Sequence, residues 1–166
     1  MIVLAMEKKI YSLRTNVGYF YNRPIGYTKE FEQFFDEIFI KPDLNLRNFH
    51  IQYSLSRTRE GLLLQAHLTA DMEAQCARCL IPFFAPVTSD FEELFTFMER
   101  FQEETDEETI PEDGYIDLGG LFRDYLLIEL PMNSVCKKDC KGICIECGQD
   151  LNEGECEHTD SRVIFD

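Results

Sequence analysis

The sequence predicts an α+β fold: a curved, barrel-like antiparallel β-sheet, one main packing helix and a small C-terminal module rich in cysteine. Three observations predict it. Apolar and polar residues alternate from Phe49 to Ser56 and again from Leu62 to Cys76, the period of half-buried strands. Leu118, Leu121, Phe122, Tyr125 and Leu126 recur at helical spacing. After Pro131 hydrophobic residues become sparse and Cys, Gly, Lys and Asp take over.

The elements follow in order. The start, MIVLAMEKKI, is a short apolar run with lysines behind it, the reverse of a secretory signal. No stretch approaches the ~18 apolar residues of a membrane span. A cytoplasmic protein without membrane contact is expected. Residues 31–40 (FEQFFDEIFI) fit both a helical face and a strand; a β-rich neighbour favours the strand, and Pro42 ends it either way.

Phe49, Ile51, Tyr53 and Leu55 then form one face of a strand, and residues 57–61 read as a hairpin connection closed by Gly61. The return strand keeps its phase through Leu62, Leu64, Ala66, Leu68, Ala70, Met72 and Ala74 to Cys76. At ~3.3 Å per residue that strand is unusually long, so a bend or bulge is expected near Ala70–Asp71. Pro82 and Pro86 are read as flanking a connection, with a further strand over 87–98 that buries Phe91, Phe95 and Phe97.

Residues 90–113 hold eleven Asp and Glu against the single Arg100. Such a run is expected to be a solvated loop, centred near 99–113, with an acidic docking site as the alternative. Asp117 is a plausible N-cap for the helix, which Pro131 closes. The expected organisation is a β-rich domain over 1–131 and a Cys-rich module over 132–166.

Charge is unevenly spread. Residues 1–70 carry nine Lys and Arg against seven Asp and Glu, whereas residues 71–166 carry seven against twenty-four. Nucleic-acid affinity comes largely from basic groups that displace counterions. At a net charge of −15 any RNA contact therefore needs a local basic surface.

The seven cysteines are an odd number in close sets, which suits a reducing compartment better than a disulfide framework. The tightest unit is Cys144-Ile145-Glu146-Cys147-Gly148. Two thiolates two residues apart reach one ion from a tight turn, and the glycine permits the positive φ that points N–H groups at sulfur. Cys156 and His158 follow eight residues later and supply thiolate plus imidazole, a set suited to tetrahedral zinc. Cys76/Cys79 and Cys136/Cys140 remain, so the expected grouping is Cys144, Cys147, Cys156 and His158 in one site and Cys76, Cys79, Cys136 and Cys140 in a second.

The second site would staple the C-terminal segment to the sheet. Competing readings are that Cys76 is a small buried hydrophobe, that Cys76/Cys79 is a redox pair, or that an all-thiolate set holds iron–sulfur. A redox pair is expected within a βαβ pattern, and none is visible. His50 and His67 fall on polar strand faces and read as surface residues. There is no phosphate-cradling glycine loop, no GxSxG elbow and no HExxH. A protein that is not an enzyme, has no small-molecule substrate and uses zinc structurally is therefore expected.

Taken together, Cys76-x-Arg78-Cys79-Leu80 after a long strand, an acidic loop, a helix ending at Leu130-Pro131, and Cys136-x3-Cys140-Lys141-Gly142-x-Cys144-x2-Cys147-Gly148-x-Asp150-Leu151-Asn152 resemble the YceD-like family, large ribosomal RNA subunit accumulation proteins. The resemblance spans roughly 49–158. It implies a non-enzymatic bacterial or plastid factor that promotes 23S ribosomal RNA accumulation during large-subunit assembly. The family commonly ends in Cys-x-Cys where this chain has Cys156-Glu157-His158. Some members lack the C-terminal cysteines, which implies a structural metal and a shared function in the sheet domain. Under this reading Arg47, Arg57, Arg59, Arg78, Lys137, Lys138 and Lys141 are candidate contacts to a 23S precursor or pre-50S particle. A basic ribosomal protein docked on the acidic loop is the second candidate partner, and a zinc-stapled adaptor that never touches RNA is the alternative function.

Overall fold

The computed structural model describes residues 13–97 and 109–158; the acidic loop expected near 99–113 lies for the most part outside them. The chain forms a short strand β1 (Arg14–Asn16), a 3-10 turn (Gly18–Asn22), and four long strands, β2 (Thr28–Ile40), β3 (Leu44–Arg57), β4 (Gly61–Gln75) and β5 (Pro82–Phe97). Strands β6 (Thr109–Ile110) and β7 (Tyr115–Asp117) lead into helix α1 (Leu118–Glu129).

Strands β2 to β5 make an antiparallel meander. β6 adds parallel to the end of β5, and β1 pairs separately with β7. The sheet order β2-β3-β4-β5-β6 is linear, so the sheet is open and the expected barrel-like closure does not occur. The reason lies in what covers the apolar face. α1 packs on it, and the N-terminal segment adds Leu13, Val17 and Phe20 to the same core. With a helix over that face, the two edge strands have no need to meet.

β4 pairs with β5 through an unbroken register, from Gly61↔Thr96 to Gln75↔Pro82. Ala66, Leu68, Ala70 and Met72 of β4 are buried in strict alternation, as are Ala85, Val87, Ser89 and Phe91 of β5. The expected irregularity is present, but on the neighbouring strand. Between β3 and β4 the register runs from Arg47↔Asp71 to His50↔Thr69, which inserts one extra residue into β3. Asn48 there adopts φ 49°, a region Asn tolerates better than most residues. Its Nδ2 donates to Asp71 Oδ2 at 2.7 Å. The buried set of β3 accordingly switches from Leu44 and Leu46 to Phe49, Ile51, Tyr53 and Leu55.

Pro82 and Pro86 lie inside β5, facing Gln75 and Asp71, and not in a connection as their sequence positions suggest. β5 has β4 on one side only along this stretch, and an edge strand accepts residues without an N–H. The ambiguous segment 31–40 is part of β2, paired with β3 from Thr28↔Ser56 to Ile40↔Leu44.

α1 starts where sequence chemistry places it. Asp117 accepts a hydrogen bond from the Gly119 N–H at 3.0 Å. Leu118, Gly119, Phe122 and Leu126 are buried beneath the helix. Phe122 meets the Tyr53 and Phe91 rings edge-on at 6.1 Å each, and Tyr125 stacks on Phe91 at 3.7 Å. Arg123 grips both carboxylate oxygens of Asp43 at 2.8 and 3.0 Å, which ties the helix to the β2–β3 turn.

Phe122 thus joins helix to sheet from a fully buried position. Phe122→Ala is expected to cost about 3–5 kcal/mol in denaturant unfolding, the range for deleting a buried aromatic.

Candidate metal centres

The β4–β5 hairpin ends in the turn Cys76–Cys79, and Cys76 continues the buried face of β4. The Cys76 N–H bonds the Ile81 carbonyl at 2.9 Å, and the Leu80 N–H bonds the Cys76 carbonyl at 3.0 Å. The same pattern recurs at the second CxxC. The Cys144 N–H bonds the Gln149 carbonyl at 2.9 Å, and the Gly148 N–H bonds the Cys144 carbonyl at 2.8 Å. Both turns need left-handed backbone after the second cysteine, φ 61° at Leu80 and 73° at Gly148. Glycine advertises that geometry in sequence; leucine hides it.

Folding brings four side chains to each turn. The thiols of Cys76, Cys79, Cys136 and Cys140 lie within 4.8 Å of one another, and so do the ligand atoms of Cys144, Cys147, Cys156 and His158. Within the first set Cys76 Sγ is 3.8 Å from Cys140 Sγ, and Cys79 Sγ is 3.6 Å from Cys136 Sγ. A disulfide needs about 2.05 Å. Two sulfurs bound tetrahedrally to one ion at ~2.3 Å sit about 3.8 Å apart. The spacing therefore fits ligands sharing an ion, and each set could hold one.

The first set is enclosed and the second open. Cys76, Cys79 and Cys140 are buried among Phe83, Val135 and Ile143. In the second only Cys144 is buried, while Cys147 and His158 are exposed.

Electrostatics in the first set favour one anion. Burial pushes the Cys76 thiol up, but N–H groups of Cys79, Cys136 and Arg78 bring it down to about 6. Burial pushes Cys79 up to about 12, with the thiols of Cys76, Cys140 and Cys136 adding to the rise. Four thiols without a counter-charge accommodate one thiolate readily; a divalent cation would stabilise the others. The second set divides similarly. The Cys147 N–H lowers the Cys144 thiol, whereas Cys156 is raised: the His158 N–H lowers it, but Cys144, burial and Cys147 outweigh that.

Asn152 and Gly142 bridge the two sets, and cysteine spacing alone singles out neither of them. The Asn152 side chain donates to Cys140 Sγ at 3.5 Å and accepts from the Lys141 N–H at 2.9 Å. Gly142 sits at φ 76°, and a Cβ at this position would stand only 3.1 Å from the Arg78 carbonyl oxygen. A side chain there would therefore press on the first CxxC turn. The readable trace of this contact in the sequence is the Cys140-Lys141-Gly142 run.

The seven candidate RNA contacts do not form one surface. Arg57 and Arg59 belong to the β3–β4 turn, at the opposite end of β4 from Cys76. Arg57 is half-buried, with its guanidinium 4.2 Å over the Phe97 ring and its Nη1 donating to the Thr58 carbonyl. Arg47 lies 4.0 Å over Phe84. Arg78 turns its Nη1 to the Cys140 carbonyl at 3.1 Å, while Lys137, Lys138 and Lys141 are exposed. Among the described residues no helix is long and apolar enough to cross a membrane.

The matched turns make a test. Gly148 has no heavy atom within 4 Å of a new Cβ, so Gly148→Ala adds backbone strain alone. It is expected to cost about 1 kcal/mol in thermal unfolding. Leu80 is 51 % exposed, so Leu80→Gly relieves similar strain with little lost packing and is expected to leave stability equal or higher.

Comparison with known proteins matches these features. The family described as large ribosomal RNA subunit accumulation protein YceD matches residues 64–165. An uncharacterized protein of Mycobacterium tuberculosis is 35 % identical over 112 residues, covering 66 % of this chain and 51 % of its own length. A large ribosomal RNA subunit accumulation protein YCED homolog 1 of Arabidopsis thaliana, described as chloroplastic, is 36 % identical over 47 residues, 28 % of this chain and 15 % of that protein. Its Zea mays counterpart is 40 % identical over 40 residues, 24 % of this chain and 14 % of its own. The chain spans about half the length of the mycobacterial relatives it matches. No solved structure matches. The match over 64–165, which takes in both CxxC turns, shows that this chain belongs to the YceD family.

Proposed function

We propose that this protein is a non-enzymatic cytoplasmic factor that supports accumulation of 23S ribosomal RNA and assembly of the large ribosomal subunit. The observation that carries the proposal is the family match over both CxxC turns, together with plant relatives named for large-subunit ribosomal RNA accumulation. Each candidate centre already has four side-chain ligands, which leaves no position for a reacting water and suits a structural ion. Zinc is the proposed ion in both, because His158 joins three thiols in a set with the mixed nitrogen and sulfur character zinc favours. Arg47, Arg57, Arg59, Arg78, Lys137, Lys138 and Lys141 remain the proposed RNA-facing residues, with a 23S precursor or pre-50S particle as partner.

A second reading, a zinc-stapled adaptor for a basic ribosomal protein, is favoured by one feature. The face of the sheet away from α1 carries a trough of about 870 Å3 across β2 to β5. It is lined by Glu30, Glu32, Asp90 and Glu92, with no Lys or Arg among its lining residues. A cationic polypeptide complements such a surface better than RNA does.

Two measurements test these readings. Crosslinking in cells followed by RNA sequencing is expected to enrich ribosomal RNA precursor; its absence from the crosslinked material favours the adaptor. Elemental analysis of the purified chain is expected to give two zinc ions per molecule. One ion would limit zinc to a single centre, and none would sink the metal assignment.

A further inference from the structure

The acidic C-terminal part of the chain concentrates its few cations around one centre. Of the seven Lys and Arg in residues 71–166, four fall within 76–79 and 136–141, the two segments that supply the four-cysteine set. Asp139 is the one acid among those ten residues. The opposite holds around the set that contains His158, where Glu146, Asp150, Glu153, Glu155 and Glu157 stand without a Lys or Arg between Glu146 and His158.

The four cations have two different jobs. A zinc ion with four thiolates carries a net charge of −2 and is stabilised by donors around its sulfurs. Arg78 is placed for this: it is half-buried, gives its backbone N–H to Cys76 Sγ at 3.4 Å and its guanidinium to the Cys140 carbonyl at 3.1 Å. The lysines are not so placed. Lys137, Lys138 and Lys141 are exposed, and among the described residues none forms an ion pair or a side-chain hydrogen bond. The nearest approach to one is Lys137 and Asp150, whose carboxyl is held low mainly by Asn152 and only secondarily by the lysine charge.

Their backbone is held by the centre. Between Cys136 and Cys140 the chain folds back through the Cys140 N–H to Lys137 carbonyl bond at 3.1 Å. Lys141 is pinned by its N–H to Asn152 Oδ1 at 2.9 Å, and the same amide reaches Cys140 Sγ. Across to the sheet, the segment has the Ala77 N–H to Ser134 carbonyl bond at 2.8 Å, the Cys136 N–H to Cys76 Sγ contact at 3.4 Å and the Arg78 bond. Hydrogen bonds contribute about 1 kcal/mol net each. That is small against the metal–ligand contribution to folding a segment with so few hydrophobic residues.

We propose that the Cys76/Cys79/Cys136/Cys140 centre presents Lys137, Lys138 and Lys141 as a metal-dependent contact for RNA phosphate, and that Arg78 serves the centre itself. This rests on the RNA-contact reading above and narrows it from seven residues to three. Arg57 and Arg59, at the far end of β4, are not part of this contact.

The test uses the full zinc-loaded chain and a single-stranded 20-mer of oligouridylate, with affinity measured between 50 and 200 mM salt. Each phosphate neutralised on a single strand steepens the log–log salt slope by about 0.7. The triple variant Lys137→Gln, Lys138→Gln, Lys141→Gln is therefore expected to have a slope shallower by about 2, so that over this fourfold range wild type loses roughly 16-fold more affinity than the variant. Zinc content should stay equal in the two proteins. The triple Lys→Arg variant keeps the charge and is expected to keep the wild-type slope; its failure to do so would overturn phosphate contact at these positions. Arg78→Gln is expected to speed zinc loss to a chelator without changing the slope. Zinc-free protein is expected to match the Lys→Gln variant.

If wild type and the Lys→Gln variant share one slope while wild type still binds, the three-lysine contact is wrong and the broader RNA reading stands. If wild type does not bind the oligonucleotide and enriches no ribosomal RNA precursor in cells, both fall.

Discussion

The unbroken β4–β5 ladder is the constraint on which the rest of this molecule depends. Its fifteen consecutive pairs start beside the β3–β4 turn and end at the prolines next to Cys79. At ~3.3 Å per residue such a hairpin reaches about 50 Å. One part of it lies under α1, where Phe91 receives Phe122 and Tyr125. Its tip carries Cys76 and Cys79, beyond the main hydrophobic cluster. Because the side-chain period is two, one slip in this register would turn Leu64, Leu68 and Met72 outward and withdraw Cys76 from the centre.

The two ends are held by different physics. Around α1, stability comes from apolar burial: Leu62, Leu64, Leu68, Phe49 and Phe122 are fully buried in one cluster. At the tip, three buried cysteines replace that core, with Phe83, Val135 and Ile143 as their apolar neighbours. A polar C-terminal segment is docked there through sulfur ligands and a handful of hydrogen bonds. Such a segment gains order from ligand bonds more than from area removed from water. The bulge at Asn48 fits this division, since it re-phases β3 between its Leu44–Leu46 part and its Phe49–Leu55 part without breaking the β4–β5 ladder.

The two CxxC turns share one hydrogen-bond plan but differ in exposure and surrounding charge. The turn on the sheet is buried and flanked by cations; the one at the end of the described chain is open and flanked by carboxylates. In the proposed roles, the enclosed centre fixes the polypeptide and the open one closes the small hairpin of Ile143↔Asp150. That hairpin is joined to the enclosed centre through Asn152.

The sequence by itself determined much of this architecture. Period-two alternation marks β3, β4 and the middle of β5, and Asp117 followed by spaced apolar residues marks α1, because strand and helix periodicity are local properties of the chain. Spacing alone likewise paired the cysteines, since two thiolates in CxxC are adjacent in any turn that binds an ion. Other features needed the tertiary structure. Sheet closure depends on what covers the apolar face, and the covering by α1 and the Leu13–Phe20 segment is a long-range contact with no local signature. Pro82 and Pro86 look like breakers until β5 is seen to have a free edge. Leu80 conceals a left-handed turn, and Arg57 reads as a free cation until Phe97 is found under its guanidinium. Each of these rests on partners remote in sequence, and only folding decides which remote groups meet.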